Sequence, residues 1–338
     1  MPANRKYVRL AARKISQGIR DSFHDWTSEM TTPRRIVTTA GLLIQGYAMF
    51  ALWTRSLIWH VTWPADRFLY PIVWIVFTLG YCVTNAMLTS EFRRKTQLEA
   101  DQTAAQQIQR TLHPEKLEEL PGYEMASFYQ PFRAVGGDYF DVIHLPDHRT
   151  LFAVADVSGK GMAAALLAAN IQALVRSIAA VNADPLNLAV QINSHLSRYT
   201  PSDRFATAVF ILLQPDSGDL IYVNAGHNAP ILSSSGSTTF LQATGLPLGL
   251  FKETEYQVRT GVLPPGAALL VFTDGLADSI PEENPETRIS SVLADRATRT
   301  ILTLKSLVDP ALSEDDITML LVQRAGRTSS NRVPSMSP

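Results

Sequence analysis

The chain has 338 residues, of which 46% are hydrophobic and 18% are charged, and its formal net charge is −1. At roughly 150 residues per domain this length allows two or three structural units, and a charge this close to zero excludes a general attraction to nucleic acid. The single cysteine, Cys82, excludes an intrachain disulfide and a cysteine zinc site.

The first 35 residues are basic and amphipathic. Apolar side chains recur every three or four positions, at Val8, Ala12, Ile15, Ile19, Phe23 and Trp26, among eight lysines and arginines. This pattern predicts a helix lying on an anionic membrane surface. A solvated segment beside the membrane would have the same composition, and the sequence leaves both interpretations open.

Two apolar stretches follow, at residues 36–53 and 68–88, and neither contains Asp, Glu, Lys or Arg. About 20 apolar residues in a helix span the hydrocarbon layer, which is about 30 Å thick. Basic residues flank the pair at Arg34 and at Arg93, which predicts that both ends of the chain are cytoplasmic. We therefore expect a transmembrane hairpin over residues 36–90, with a buried helical hairpin of a soluble protein as the alternative.

Residues 91–116 predict a linker helix that leaves the bilayer. Leu98, Ala105 and Leu112 share one heptad position, and Asp101 and Ile108 share the other. This is an imperfect coiled-coil seam. It would either pair two chains into a homodimer through residues 91–112 or pack on its own domain. A proline at position 114 is expected to end the helix.

Residues 117–324 have the pattern of a soluble α/β domain. Strands are predicted at residues 125–129, 139–144, 151–155, 205–213, 220–223, 256–258, 269–272 and 317–322, and helices at 164–180, 185–199 and 288–304. Several strands follow one another without a helix, which argues against a doubly wound parallel sheet. The polar residues 325–338 predict a disordered tail.

The sequence GKG at residues 159–161 resembles part of a phosphate-binding loop, but the match fails. A P-loop requires G-x-x-x-x-G-K-[ST]. Here Val154 occupies the first glycine position, and Gly161 stands where a magnesium-binding hydroxyl is needed. The stretch is more informative for the acid that precedes it, Asp156, at the end of an apolar strand.

Acids recur at predicted strand ends, next to glycines or to a second acid. They are Asp138 in AVGGDYFDV, Asp156 in ADVSGKG, Asp274 in VFTDGLADS, and Asp315 and Asp316 in SEDDITM. Clustered carboxylates raise each other's pKa unless a cation compensates, and an all-oxygen ligand set suits Mg²⁺ or Mn²⁺. A pair of such ions can activate water and hold the oxygens of a phosphoryl group. Taken singly, such an acid is more often a turn or cap residue, so this prediction requires that the acids meet in space.

At these residues the sequence resembles the PPM-type (type 2C-like) metal-dependent protein serine/threonine phosphatases, in their bacterial SpoIIE-like branch. Seven blocks match in order across residues 105–323, including AVGGDYFDVI, ADVSGKGMAAAL, NAGHNAPIL, VFTDGLADS and DDITMLLV. The resemblance implies an α/β fold in which two mainly antiparallel β-sheets form a sandwich flanked by helices. It also implies two metal ions, Mn²⁺ or Mg²⁺, between the sheets.

The resemblance assigns roles to six positions. Asp156 is similar to the acid that bridges both metal ions, assisted by the backbone carbonyl of Val157, and Asp274 and Asp316 are similar to further ligands. Asp138 is similar to an acid that binds one metal directly or through water. Arg133 is similar to the arginine that receives the substrate phosphate, a task that suits a planar guanidinium group. A surface arginine at a strand entry remains the alternative.

This sequence departs from many relatives after the bridging acid, where a histidine can serve as general acid. Here the region reads VSGKG, and neither Ser158 nor Lys160 is a clear replacement, so metal-bound water is expected to protonate the leaving oxygen. His227 in NAGHN fits a structural turn better than an acid. The segment between residues 278 and 315 is shorter than in many relatives. We expect this difference to affect substrate recognition and not the metal site.

The sequence therefore predicts a multi-pass protein of the bacterial inner membrane, with both termini and the phosphatase domain in the cytoplasm. Its expected partners are membrane lipid and a phosphorylated protein, namely a STAS-type anti-sigma-factor antagonist of a partner-switching pathway, and nucleic acid is not among them. The alternative is a non-catalytic membrane scaffold that uses a phosphatase-like domain to bind its partner.

Overall fold

The computed structural model describes residues 39–41, 43–47, 50–51, 54, 66–114, 116–201, 203–234 and 237–326. The chain divides into two compact units, Met1–Ala100 and Asp101–Pro338. The predicted basic segment at residues 1–35 lies outside the described residues, as does most of the predicted tail. Of the first predicted span, part is described, and its described residues are helical.

The longest element is helix α1, Asp66–Leu112. It contains the second predicted span and the predicted linker as one continuous helix, and it ends two residues before Pro114, as expected. In the first unit its residue Thr84 is buried and accepts a 3.0 Å hydrogen bond from the side chain of Gln45. Two polar side chains of the apolar stretches thus contact each other, while neighbours such as Leu79 are exposed. Insertion of these stretches into a membrane stays a prediction.

The second unit contains two five-stranded sheets in which all neighbours are antiparallel. The strands are β1 (Tyr123–Gln130), β2 (Tyr139–His144), β3 (Thr150–Val157), β4 (Ala206–Leu213), β5 (Asp219–Ala225), β6 (Ile231–Ser234), β7 (Ser237–Phe240), β8 (Arg259–Val262), β9 (Ala268–Phe272) and β10 (Ile317–Arg324). One sheet has the order β1-β10-β9-β6-β7, and the other has β2-β3-β4-β5-β8.

The two sheets pack face to face, and because side chains alternate in direction along each strand, one set faces the opposite sheet and the other faces the helices. On β3, Phe152 and Val154 join the core shared with β9 and β10 of the opposite sheet. The intervening Ala153 and Ala155 pack instead against the helices on the outer face. The predicted sandwich of antiparallel sheets is confirmed.

Helices cover the outer face of each sheet. They are α2 (Met162–Ala179), α3 (Pro185–Tyr199), α4 (Asp274–Asp278), α5 (Pro285–Ala294) and α6 (Ile301–Lys305). Among the described residues, α2 is the one helix that length and composition would allow to cross a bilayer. Its residues Ile171 and Val175 are fully buried against β3 and α3, so α2 is a core helix of this unit.

Several element predictions in this unit were wrong, and the strand β8 and the helix α4 were not predicted. Residues 256–258 form no strand, and β6 and β7 were missed because their serine-rich sequence lacks an apolar run. The predicted helix at 288–304 is two helices, α5 and α6. Asp295 accepts a hydrogen bond from the backbone of Ala297, and Thr300 caps the second helix through the backbone N–H of Thr303. Such local side-chain bonds compete with continuous helix.

Candidate active site

The predicted metal-binding acids lie at strand ends on both sheets. Asp138 directly precedes β2, and Asp156 lies near the end of β3 in the same sheet. Asp274 follows β9 after one residue, and Asp316 directly precedes β10, both in the opposite sheet. The sandwich therefore brings together acids that are far apart in the sequence.

Hydroxyl groups of the opposite sheet hold the carboxylate of Asp138, which is 2% exposed. Its Oδ2 accepts hydrogen bonds from Thr273 at 2.8 Å and from Thr318 at 2.6 Å. The backbone N–H of Thr318 in turn donates to the Thr273 hydroxyl at 3.0 Å. The sequence did not predict a role for either threonine, although Thr273 is adjacent to Asp274 and Thr318 is two residues after Asp316.

Backbone N–H groups orient the carboxylate of Asp316. Phe132 donates to its Oδ1 at 2.7 Å, and Gly137 donates to its Oδ2 at 2.5 Å. The neighbouring Gly136 leaves no room for a side chain, since a Cβ there would lie 2.6 Å from the Tyr129 hydroxyl and would also overlap Asp316. Gly136, the first glycine of the GGD motif, is thus needed for close approach of the backbone to this carboxylate.

The acids also interact electrostatically. Burial raises the pKa of Asp156 to about 7, with further contributions from the negative charges of Asp274, Asp315 and Asp316. Burial and the charge of Asp156 raise the pKa of Asp138. Burial, followed by the charge of Asp315, likewise raises the pKa of Asp274. These side chains are close enough to repel one another, which is the condition that a divalent cation relieves.

Within the described residues, no three His, Cys, Asp or Glu side chains already form a cluster set to hold a metal ion. The carboxylates of Asp138 and Asp316 nevertheless keep free acceptor sites beside their bonds to Thr318 and Gly137, because an ionised carboxylate can accept about four bonds. The residues fit a hard divalent ion, because the set is all oxygen and the neighbouring carboxylates raise one another's pKa.

The remaining predicted residues lie around this cluster. Val157 ends β3, and its carbonyl oxygen would be 3.1 Å from a Cβ placed at Gly137. Arg133 is exposed in the loop between β1 and β2, adjacent to Phe132. His227 is buried, its ring bonds to Thr207 at 2.8 Å, and burial lowers its pKa to about 4. These contacts support the structural interpretation of His227.

The sequence of this chain is similar to those of known proteins. Residues 146–325 match the family described as Stage II sporulation protein E (SpoIIE). Phosphoserine phosphatase RsbP of Bacillus subtilis is 24% identical over 59% of this chain and 52% of its own length. Phosphoserine phosphatase RsbU of the same organism is 24% identical over 65% of this chain and 69% of its own length. The chain thus spans about half to two thirds of these relatives.

Solved structures have the same fold. The RsbU and RsbW domains of Rv1364c from Mycobacterium tuberculosis superpose with a TM-score of 0.54 at 28% identity, over 62% of each chain. RsbX, whose structure was solved in complex with magnesium, superposes with a TM-score of 0.51 at 23% identity, over 62% of this chain and 99% of its own.

Proposed function

The chain belongs to the SpoIIE family of PP2C-type phosphatase domains, and from this we propose that it is a metal-dependent phosphatase that removes phosphate from serine or threonine of a protein. The observation that carries the proposal is the group of four carboxylates drawn from both sheets, of which Asp138 and Asp316 are buried and Asp156 has a pKa raised to about 7 by burial and by its acidic neighbours. PP2C-type phosphatases depend on metal ions, and these acids are the oxygen ligands that such ions prefer.

Each residue has a distinct part in the proposed site. Asp138, Asp156, Asp274, Asp316 and the Val157 carbonyl would hold two ions, Mn²⁺ or Mg²⁺. Bound ions of this kind supply a nucleophile from water and neutralise charge on the phosphoryl oxygens. Thr273 and Thr318 keep the Asp138 carboxylate in place, and the N–H groups of Phe132 and Gly137 keep Asp316 in place.

Arg133 would bind the substrate. It is exposed on the loop whose preceding residue, Phe132, donates to Asp316, so it lies near the carboxylates without being part of their hydrogen-bond network. A guanidinium group presents paired donors that match two oxygens of a phosphate. Replacement of Arg133 by Ala is therefore expected to raise KM for a phosphoprotein more than it lowers kcat.

The finer proposal concerns substrate and location. RsbP and RsbU are phosphoserine phosphatases, which supports a phosphorylated STAS-type regulator as the substrate and a place in partner switching. The apolar stretches at 36–53 and 68–88 support an anchor in the bacterial inner membrane, with the phosphatase unit in the cytoplasm. Homodimerisation through residues 91–112 belongs to the same proposal. Recovery of the intact chain in the soluble fraction without detergent would contradict the anchor.

The catalytic proposal is tested with the full chain in detergent, assayed for hydrolysis of para-nitrophenyl phosphate and of a phosphoserine protein with Mn²⁺. Asp274→Asn should lower kcat by about 10²-fold or more, because a lost metal ligand removes several kcal/mol of transition-state stabilisation. Asp219→Asn is the matched control, since Asp219 is exposed at the start of β5. Equal rates for the unmodified chain and Asp274→Asn would favour a scaffold that binds its partner without turnover.

A further inference from the structure

The lysine of the GKG sequence has contacts that a phosphate-binding loop would not require. Its ammonium group forms a 2.9 Å ion pair with Asp315 and donates to the backbone carbonyl of Glu314. It also lies 5.3 Å from the centre of the Phe132 ring. Lys160 thus contacts two segments that are far from it in sequence, one at Phe132 and one at Glu314 and Asp315.

Both segments position Asp316. The Oδ1 atom of Asp315, the partner of Lys160, accepts a 2.9 Å hydrogen bond from the backbone N–H of Asp316. Phe132, beneath the ammonium group, donates its backbone N–H to the Asp316 carboxylate at 2.7 Å. Lys160 itself is four residues beyond Asp156 in the sequence. One side chain therefore connects the loop that carries the predicted bridging acid with the two segments that hold another predicted ligand.

The loop is built to present this lysine. Gly159 and Gly161, on either side of Lys160, have φ values of 93° and 79°, which favour glycine. Before them, Ser158 accepts a 3.1 Å hydrogen bond from Arg204 at its carbonyl, and its hydroxyl accepts one from the backbone of Phe205. The glycines that make the sequence resemble a phosphate loop thus have another role here, which is to direct Lys160 toward Asp315.

We propose that Lys160 is a positioning residue for the metal site, because its contacts with Asp315 and Phe132 hold the Asp316 carboxylate where it can bind a divalent ion together with Asp156. This inference rests on the proposed function, since it assumes a metal ion between these acids. It extends that function to a residue that contacts neither metal nor substrate.

The charge of Lys160 and its positioning role predict opposite effects of its removal on Mn²⁺ affinity. A lysine next to a group of carboxylates competes with a cation, so its loss through charge alone would strengthen Mn²⁺ binding. Loss of a positioning contact would weaken binding. Residues that orient metal ligands typically contribute about 10- to 100-fold to metal affinity. The sign of the change therefore separates the two roles.

The experiment measures the Mn²⁺ dissociation constant of the full chain in detergent by titration calorimetry, without substrate. Lys160→Met should raise the dissociation constant about tenfold, and Lys160→Arg should restore most of the affinity. Lys305→Met is the matched control, because Lys305 is an exposed lysine that also lies over an aromatic ring, 4.6 Å from that of Phe128, and its replacement should have no effect. The midpoint temperature of unfolding of the metal-free Lys160→Met chain should differ from that of the unmodified chain by no more than about 3 °C, as expected for loss of an exposed ion pair.

A variant of the partner residue tests the connection through Asp315. If Lys160 acts by holding Asp315, Lys160→Met should add little further weakening in a chain that already carries Asp315→Asn. If Lys160→Met binds Mn²⁺ as tightly as the unmodified chain, or more tightly, the positioning role of Lys160 is wrong, while the proposed function still stands. Failure of the unmodified chain to bind Mn²⁺ would overturn the proposed function and this inference together.

Discussion

The hydroxyl group of Thr318 donates a 2.6 Å hydrogen bond to the carboxylate of Asp138. This contact joins β10 of one sheet to the residue that precedes β2 of the other. Both residues are buried, so the hydrogen bond has no competition from solvent. It is a direct connection between the two halves of the sandwich at the predicted metal site.

Replacement of Thr318 by Val should destabilise this connection. Threonine and valine have nearly the same shape, but the variant leaves the buried carboxylate of Asp138 with one hydrogen-bond donor fewer. The free energy of unfolding of the metal-free chain should fall by about 1–3 kcal/mol, as measured by urea denaturation. Mn²⁺ binding should also weaken. Thr239→Val, at an exposed position of β7, is the control and should change neither quantity. Equal stability of both variants would contradict the role assigned to Thr318.

The stability of the metal-free chain should depend on pH through Asp156. Its folded-state pKa is raised from 3.8 to about 7 by burial and neighbouring acids, so between these values the folded state binds a proton that the unfolded state has released. The free energy of unfolding should therefore decrease as pH rises from about 4 to about 7, by at most about 1.4 kcal/mol per pH unit for this group. Denaturation with EDTA at pH 5.5 and pH 8 measures the difference.

Asp156→Asn isolates this contribution from that of other titrating groups. Its stability should decrease less between pH 5.5 and pH 8 than that of the unmodified chain, because the amide carries no charge to repel Asp138 and Asp274. A decrease of the same size in both proteins would show that other groups cause the dependence.

Mn²⁺ binding should show the opposite dependence on pH. The ion requires ionised carboxylates, so it competes with the proton that Asp156 retains below pH 7. Affinity should rise with pH up to about 7 and then level off, and binding should release protons. Calorimetry in two buffers with different ionisation enthalpies measures that release. Proton release that is absent at pH 6 would contradict the raised pKa of Asp156.

Gln109 should stabilise the loop before Asp138. Its amide is buried and makes two hydrogen bonds with the backbone of Gly136, accepting from the N–H at 3.0 Å and donating to the carbonyl at 2.5 Å. Because Gly137 donates to Asp316, loss of these bonds should affect the metal site as well as the fold. Gln109→Ala should lower the free energy of unfolding by about 2 kcal/mol and weaken Mn²⁺ binding.

Gln107→Ala is the control for this change, because Gln107 is exposed on the same turn of α1. It should leave stability and Mn²⁺ affinity within experimental error. A similar loss in both variants would indicate a general effect on the helix and not a specific effect of the bonds to Gly136.

Much of the fold follows from local patterns. Helix α3 and strand β2 begin and end at the predicted residues, because Pro185 opens a helix with regular apolar spacing and β2 lies between a glycine pair and a turn. The strands β6 and β7 were not predictable in the same way. Ile231–Ser234 and Ser237–Phe240 are short and partly polar, and they are strands because β9 offers a pairing edge.

The sequence by itself predicted which acids form the metal site. Asp138, Asp156, Asp274 and Asp316 each adjoin an apolar strand and a glycine or a second acid, and that information is local. Only the tertiary structure decided which residues hold these carboxylates in place. Lys160 and Glu314 are 154 residues apart, and Thr318 and Asp138 are 180 apart. No short-range pattern specifies such contacts, because they form only when burial of apolar side chains between the two sheets brings the strand ends together.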